Sequence, residues 1–169
     1  NDEYFPRRQM LHEEDGSFMK NNDERMIFYC KGVIETVRKL GWKPDVIHCQ
    51  GWFTSLVPMY IKKLYAGDPL FEDVKVIYSI FDNSFDGVLS ETLPEKLLFE
   101  NLEESDVVPL KESNITNLHK FAIDHSDAVV QASADMDKEV LEYIKSSEKP
   151  FMEYPGAEDY IDAYQDFYE

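Results

Sequence analysis

Hydrophobic positions in this chain follow two alternating patterns. Short runs rich in β-branched and aromatic residues predict strands at 45–49, 74–80 and 127–132, and a short extended element at 151–154. Stripes at three- and four-residue steps predict helices at 22–40, 52–65, 95–101, 113–125, 133–146 and from 156 onward. Strands alternating with helices indicate a parallel sheet with right-handed crossovers. The predicted fold class is α/β, a Rossmann-like three-layer sandwich with a mostly parallel sheet.

Residue types between these elements divide the chain into three parts. Residues 1–21 are polar and predict an arm or loop, residues 22–155 predict the Rossmann-like domain, and residues 156–169 predict an acidic, tyrosine-rich helix. Residues 103–112 are acidic and predict irregular structure. Either Asn22 or Asp23 is expected to cap the first helix, and Gly41 to end it. The chain opens on Asn1 without a strand pattern, which predicts a piece of a longer protein that lacks the first strands of its sheet.

The formal net charge of −17 excludes several partners. Nucleic acids and anionic membrane surfaces are bound through lysine and arginine, so neither is expected here. No apolar run approaches the roughly 20 residues that a membrane helix needs. Cys30 and Cys49 have no Cys-x-x-Cys spacing and lie in apolar patterns, which predicts buried thiols, no metal site and a reducing, cytoplasmic compartment.

Two corners where strands end carry the candidate chemistry. Ligands of open α/β sheets bind beyond the carboxyl ends of the strands. At the first corner, His48 can bond a sugar hydroxyl or tie the strand to the next helix, and Trp52 can stack on a sugar or adenine ring or seal the sheet edge. At the second corner, Asp82 and Asp86 are acids or hydroxyl ligands, or ordinary turn formers. Both corners are expected to line one groove.

Common catalytic and phosphate-binding motifs are absent from the sequence. Neither G-x-G-x-x-G nor G-x-x-x-x-G-K-[ST] occurs, and G-x-S-x-G is missing as well. The tyrosine stripe of the last helix is interpreted first as core packing, with a dimer face or a carbohydrate-stacking surface as the alternatives.

Over roughly residues 20–135 the sequence resembles the N-terminal catalytic domain of bacterial glycogen synthases and plant starch synthases. The matching motifs are Asn22-Asp23-Glu24-Arg25, Pro44-Asp45-Val46-Ile47-His48 leading to Trp52, and Leu56-Val57-Pro58 with Tyr60. This is glycosyltransferase family 5, whose GT-B fold has two Rossmann-like domains. The resemblance implies glucosyl transfer from ADP-glucose to the non-reducing end of an α-1,4-glucan with retained configuration. The tail from Lys149 looks more like the end of a short, single-domain relative.

The sequence departs from the family at both corners. Gly51 stands where the family has an aspartate, and Phe81 stands where it has an active-site histidine. The Lys-x-Gly-Gly-Leu signature is absent, and the chain has no room for the second domain, which carries most of the nucleotide-sugar site. These departures predict a segment that is inactive alone, with no catalytic residue, metal or cofactor of its own, and with ADP-glucose as donor if the parent protein is active.

If the parent protein is catalytic, the resemblance assigns His48, Gln50, Trp52 and Asp82 to the acceptor side of the cleft. An alternative is a degenerate, non-catalytic module that binds α-glucan through Trp52 and the tyrosine-rich end, or that binds a partner. A further alternative is a structural domain that forms a homo-oligomer through its last helix.

Overall fold

A computed structural model of the chain describes residues 4–5, 11–98 and 102–168. One parallel sheet organises it, in the order β1-β2-β3-β4. The strands are β1 (Val46–Gln50), β2 (Lys75–Ile80), β3 (Ala128–Gln131) and β4 (Phe151–Met152). The predicted α/β class and parallel sheet are confirmed, and each strand overlaps the range predicted for it.

Seven α-helices lie before, between and after the strands within the described residues. They are α1 (Asn22–Leu40), α2 (Val57–Met59), α3 (Leu93–Leu98), α4 (Glu104–Val107), α5 (Ile115–His125), α6 (Lys138–Ser146) and α7 (Tyr160–Tyr168). As predicted, α1 ends at Gly41, which adopts the left-handed conformation with φ 62°. The helix predicted at 95–101 is α3, and residues 99–101 lie outside the described residues.

The main core lies on one face of the sheet. Cys49, Tyr78 and Val129 are paired in register, so their side chains point to the same face. All three belong to a continuous cluster that also takes buried side chains from α1 to α6. Helices α1 to α6 therefore cover this first face. Cys30 and Cys49 are buried free thiols within the cluster, and burial raises the pKa of both, which keeps them unreactive.

The second face of the sheet carries a different set of side chains. His48 pairs with Ile77, while Gln50, Ser79 and Val130 follow one another across the next row. Ile77 and Val130 are buried but lie outside the main cluster. The C-terminal helix α7 crosses this face, where the Tyr164 hydroxyl lies 3.5 Å from Ser79 Oγ.

The prediction of one continuous helix from 52 to 65 is wrong. It begins as a 3-10 turn at Trp52–Thr54, becomes α2, and ends as a π-helical turn at Tyr60–Leu64. Pro58 explains the break, because it has no backbone N–H to donate to the carbonyl four residues earlier. The π turn is closed by the Tyr65 N–H, which donates to the Tyr60 carbonyl at 2.9 Å.

Residues 103–112, predicted as irregular, instead form α4 and a 3-10 turn at Val108–Leu110. Here the acidic residues act as caps, since the Glu103 N–H donates to the Asp106 carboxylate at 3.0 Å. Helix α6 starts later than predicted because Asp137 accepts hydrogen bonds from the N–H groups of Glu139 and Val140. Helix α7 likewise begins at Tyr160 rather than at residue 156.

The expected capping of α1 is also wrong. Its N-cap is Asn21, which makes no side-chain capping bond. Asn22 and Asp23 are buried instead, where Asn22 binds the Leu11 carbonyl at 2.9 Å and Asp23 pairs with Lys96 at 2.6 Å. Asn22 and Asp23 therefore bind neighbouring segments of the chain instead of capping the helix.

No helix among the described residues is long and apolar enough to cross a membrane. No group of three or more histidine, cysteine or acidic residues among them is arranged to hold a metal ion.

The buried pair Tyr78 and His119 generates a prediction on pH. Their side chains are 2.8 Å apart, and burial lowers the pKa of His119 from its ordinary 6.5 to about 4. The unfolded chain therefore takes up this proton at a higher pH than the folded chain, so the free energy of unfolding falls as the pH drops from 6.5 towards 4. We expect His119→Gln, whose amide bonds Tyr78 without titrating, to reduce this loss by on the order of 3 kcal/mol.

Urea unfolding at about pH 7 and about pH 4.5 measures this effect. The matched control is His12→Gln, because His12 is exposed and lies outside the core. The same pH dependence in His119→Gln and in the unsubstituted chain would contradict the prediction.

Candidate functional site

A cleft of about 740 Å³ opens between the carboxyl ends of the strands and the C-terminal segment. The strand side supplies His48, Gln50, Phe81 and Ala132. The facing wall runs from Tyr154 to Tyr168 and presents Tyr154, Tyr160, Ile161, Tyr164 and Tyr168. The end of β1 and the first residue after β2 therefore line one cleft, and its position agrees with the usual ligand site of an open α/β sheet.

His48 is held on both sides of its ring. Its Nε2 lies 2.6 Å from Ser79 Oγ, and its Nδ1 lies 2.6 Å from the Tyr168 hydroxyl. The rings of Tyr164 and Tyr168 lie 5.6 and 5.8 Å from the imidazole. Burial lowers the pKa of His48, which favours the neutral ring. In this arrangement His48 joins β1, β2 and α7, and it has no ring nitrogen left for a ligand.

Gln50 and Phe81 form the mouth of the cleft on the strand side. Gln50 is the exposed last residue of β1, so its amide is available to hydroxyl groups. Phe81 follows β2 directly and is half-buried. Its ring contributes apolar area to the mouth of the cleft, and it can neither donate a hydrogen bond nor carry charge.

Trp52 does not line the cleft. Its side chain is 1% exposed, and its ring centroid lies 4.8 Å from Phe85 and 5.3 Å from Phe53. Phe18, from the residues before α1, approaches at 6.2 Å. Trp52 thus packs inside an aromatic cluster, where it joins the first corner to the second and has no face open to a sugar.

Asp82 lies on the other side of Phe81, in a smaller depression of about 380 Å³. Asp86, Asp135 and His119 share this depression. The Asp82 side chain is exposed, and its backbone N–H donates to Ser133 Oγ at 2.9 Å. Of the four predicted site residues, the structure brings His48 and Gln50 together, places Asp82 next to them across Phe81, and buries Trp52.

Gly51 connects the two corners through its backbone. Its N–H donates to the Ser79 carbonyl at 2.9 Å, which extends the pairing of β1 with β2. Its φ of 73° and ψ of 169° belong to a region that is essentially restricted to glycine. A Cβ at this position would lie 3.2 Å from Asn83 Nδ2. Asn83 therefore occupies the space that a side chain at position 51 would enter.

The tyrosine wall is the part of the cleft that sequence reasoning misplaced. No residue of α7 is fully buried, so its stripe is not core packing. Tyr160, Tyr164 and Tyr168 recur every four residues and share one side of the helix, and all three line the cleft. This spacing was the available signal, but it does not distinguish a core from a cleft wall.

The backbone of Gly51 generates a stability prediction. We expect Gly51→Ala to cost about 1–3 kcal/mol, because an alanine is strained at this φ and ψ and its methyl group meets Asn83. The control is Gly67→Ala, which has no atom within 4 Å of the added carbon and an ordinary φ. Urea midpoints of both variants measure the difference, and equal costs would contradict the strain argument.

The contacts of α7 generate a prediction on His48. We expect removal of residues 156–169 to raise the pKa of His48 towards its ordinary 6.5, because the tyrosine rings that exclude water from it are lost. NMR titration of the imidazole protons measures this shift. His119 serves as the internal control, since it packs on Tyr78 on the opposite face. An unchanged His48 pKa would show that α7 does not cover it in solution.

Comparison with known proteins places this architecture in a family. Residues 1–150 match the family described as Glyco_transf_5, starch synthase catalytic domain. Among curated proteins, the chain is 35% identical over 134 residues to a glycogen synthase of Chlorobium limicola, covering 79% of this chain and 27% of that protein. A glycogen synthase of Pelodictyon phaeoclathratiforme is 31% identical over 142 residues, covering 83% of this chain and 28% of that protein. The chain thus spans about a quarter of these relatives.

A solved structure supports the same fold. The catalytic domain of starch synthase IV from Arabidopsis thaliana, described as bound to ADP and acarbose, superposes with a TM-score of 0.64 at 20% identity. The match covers 90% of this chain and 32% of that one. Together with the family match over residues 1–150, these relatives show that the chain belongs to the starch synthase catalytic domain family, glycosyltransferase family 5, which includes the glycogen synthases.

Proposed function

We propose that this chain is the acceptor side of a glucosyltransferase cleft in α-1,4-glucan synthesis and that it does not transfer glucose by itself. The observation that carries the proposal is the cleft beyond β1 and β2, in a chain of this family, with Phe81 and a fully bonded His48 in its wall. ADP-glucose would be the donor for the parent protein, and an α-glucan the acceptor.

The choice of substrates rests on the relatives. The curated relatives are named glycogen synthases, and the Arabidopsis starch synthase is described as bound to ADP and to the oligosaccharide acarbose. Gln50 and Asp82 have exposed polar groups at the mouth of the cleft and beside it, where they would hydrogen-bond the hydroxyl groups of a sugar. In this proposal both are binding residues, and neither moves a proton.

Three observations support inactivity of the chain alone. Gly51 has no side chain at the family's carboxylate position, and Phe81 has no donor at the histidine position. Removing one preorganised donor from an active site commonly costs about 10²–10³ in rate. His48, which the family retains, is engaged by Ser79 and Tyr168.

Transfer of labelled glucose from ADP-glucose to glycogen tests the proposal. We expect incorporation by this chain to equal that of a blank without protein, because the groups that would stabilise the transition state are missing. The Chlorobium limicola glycogen synthase, assayed in parallel, is the positive control. Incorporation above the blank would contradict the proposed inactivity.

A further inference from the structure

We propose that the acidic depression next to Phe81 is a binding site for an arginine side chain of a partner polypeptide. The acidic depression is the space of about 380 Å³ around Asp82, Asp86, Asp135 and Asp137. Its walls are the loop after β2, the first half of α5 and the residues that lead into α6. The inference does not rest on the proposed function, because it concerns a charged ligand and a space on the other side of Phe81 from the cleft.

The four carboxylates of the acidic depression have no cation beside them. No lysine or arginine is among the described residues that line it. The carboxylates of Asp82, Asp86 and Asp135 form no hydrogen bond or ion pair with any described residue. The fourth, Asp137, uses its Oδ1 to cap α6. Negative charges gathered without a counter-charge repel one another, so a cation bound between them is favoured.

A buried imidazole in the same space is a second, independent indication of a ligand. His119 is 4% exposed, and its Nδ1 lies 2.8 Å from the Tyr78 hydroxyl. The ring lines the acidic depression, and its Nε2 has no hydrogen-bond partner in the part of the chain that the structure describes. Burial lowers the pKa of His119 to about 4, so the ring is neutral at pH 7. When Nδ1 donates its proton to Tyr78, Nε2 is free to accept an N–H from a ligand.

The spread of these acceptors favours a guanidinium over other cations. Among the described residues, no three histidine, cysteine or acidic side chains are arranged to hold a metal ion, so the carboxylates do not converge on one point. A guanidinium is planar and directs five N–H donors outward, whereas an ammonium is a compact point charge. A guanidinium can therefore donate to separated carboxylates and to His119 Nε2 at the same time.

Apolar side chains in the acidic depression fit the rest of an arginine side chain. They are Ile80, Phe85, Ile115, Met136 and Val140. Arginine packs its aliphatic stem on apolar surface and keeps its charged head among polar groups. A free arginine molecule also brings a carboxylate, which the four acids repel, whereas an arginine within a polypeptide does not. The net charge of −17 further attracts a basic partner.

NMR titration of the chain with N-acetyl-arginine amide at neutral pH tests the proposal. The readout is the nitrogen chemical shift of His119 Nε2, and His125, whose Nδ1 lies 2.8 Å from the Phe121 carbonyl, is the internal control. The comparison ligands are the citrulline amide, which has nearly the same shape without the charge, the lysine amide, free arginine and magnesium chloride.

Two variants locate the binding. Asp86→Asn and Asp135→Asn each remove one charge from the acidic depression and keep the shape of the side chain. Asp45→Asn is the matched control, because Asp45 is exposed and precedes β1, at the opposite end of the sheet. Amide spectra of the three variants establish that they are folded.

We expect the arginine amide to shift His119 Nε2 and to leave His125 unchanged. The citrulline amide is expected to cause no shift, and the lysine amide and free arginine to bind more weakly than the arginine amide. Asp86→Asn and Asp135→Asn are each expected to weaken binding by about two- to fivefold, as the loss of one exposed ion pair does. Asp45→Asn is expected to bind as the unsubstituted chain does.

Several results would overturn the proposal. One is the absence of a His119 shift with the arginine amide, and another is an equal shift with the citrulline amide. Equal affinity of Asp86→Asn, Asp135→Asn and Asp45→Asn would place the binding elsewhere. Free arginine or the lysine amide binding at least as tightly would rule out an arginine within a polypeptide, and an equal shift with magnesium chloride would assign the site to a metal ion. Glucose transfer above the blank would contradict the proposed inactivity and leave this site unaffected.

Discussion

The register between β1 and β2 fixes which side chains the strands turn towards the cleft. Five successive pairs run from Val46 and Lys75 to Gln50 and Ser79, and the Gly51 N–H extends the ladder by one bond to the Ser79 carbonyl. Because side chains alternate between faces, a slip of one residue would turn His48 into the main core and Cys49 out of it. The core on the first face therefore determines which residues of the second face meet α7.

The two faces of the sheet are covered in different ways. The first face is covered by six helices and contains the largest buried side chains, among them Trp52, Tyr78 and Phe121. The second face is crossed by α7, whose contacts to the strands include hydroxyl groups placed on His48 and Ser79. Close packing of apolar side chains covers the first face, whereas α7 contacts the second face through a few polar contacts and half-exposed rings. The cleft lies on this second face, between α7 and the strand ends.

The sequence predicted most of the fold because its strands and helices follow strong local patterns. Buried β-branched runs located β2 and β3, and Gly41 located the end of α1. Local patterns failed where a single residue changes the hydrogen bonding, as Pro58 does inside the second helical segment. They also failed in residues 103–112, where acidic side chains cap a short helix instead of marking a loop.

The site was predicted less completely, because its parts depend on tertiary contacts. Strand order predicted that the ends of β1 and β2 lie side by side, and they do, but Asp82 and Asp86 line a separate depression. The sequence did not predict the location of Trp52, because a tryptophan in a first helical turn can face a cleft or a core. Here its contacts with Phe85 and Phe18 place it in the core. The tyrosines of α7 had a clear spacing but no indication of which face of the sheet they would cover.

The backbone of Gly51 also restricts which side chains this corner of the sheet can accept. With φ at 73°, ψ at 169° and Asn83 next to the position of a Cβ, a carboxylate introduced at residue 51 meets conformational and steric resistance at once. The peptide would have to rotate and the neighbouring amide would have to withdraw together, so equipping this corner with an acid takes more than one substitution.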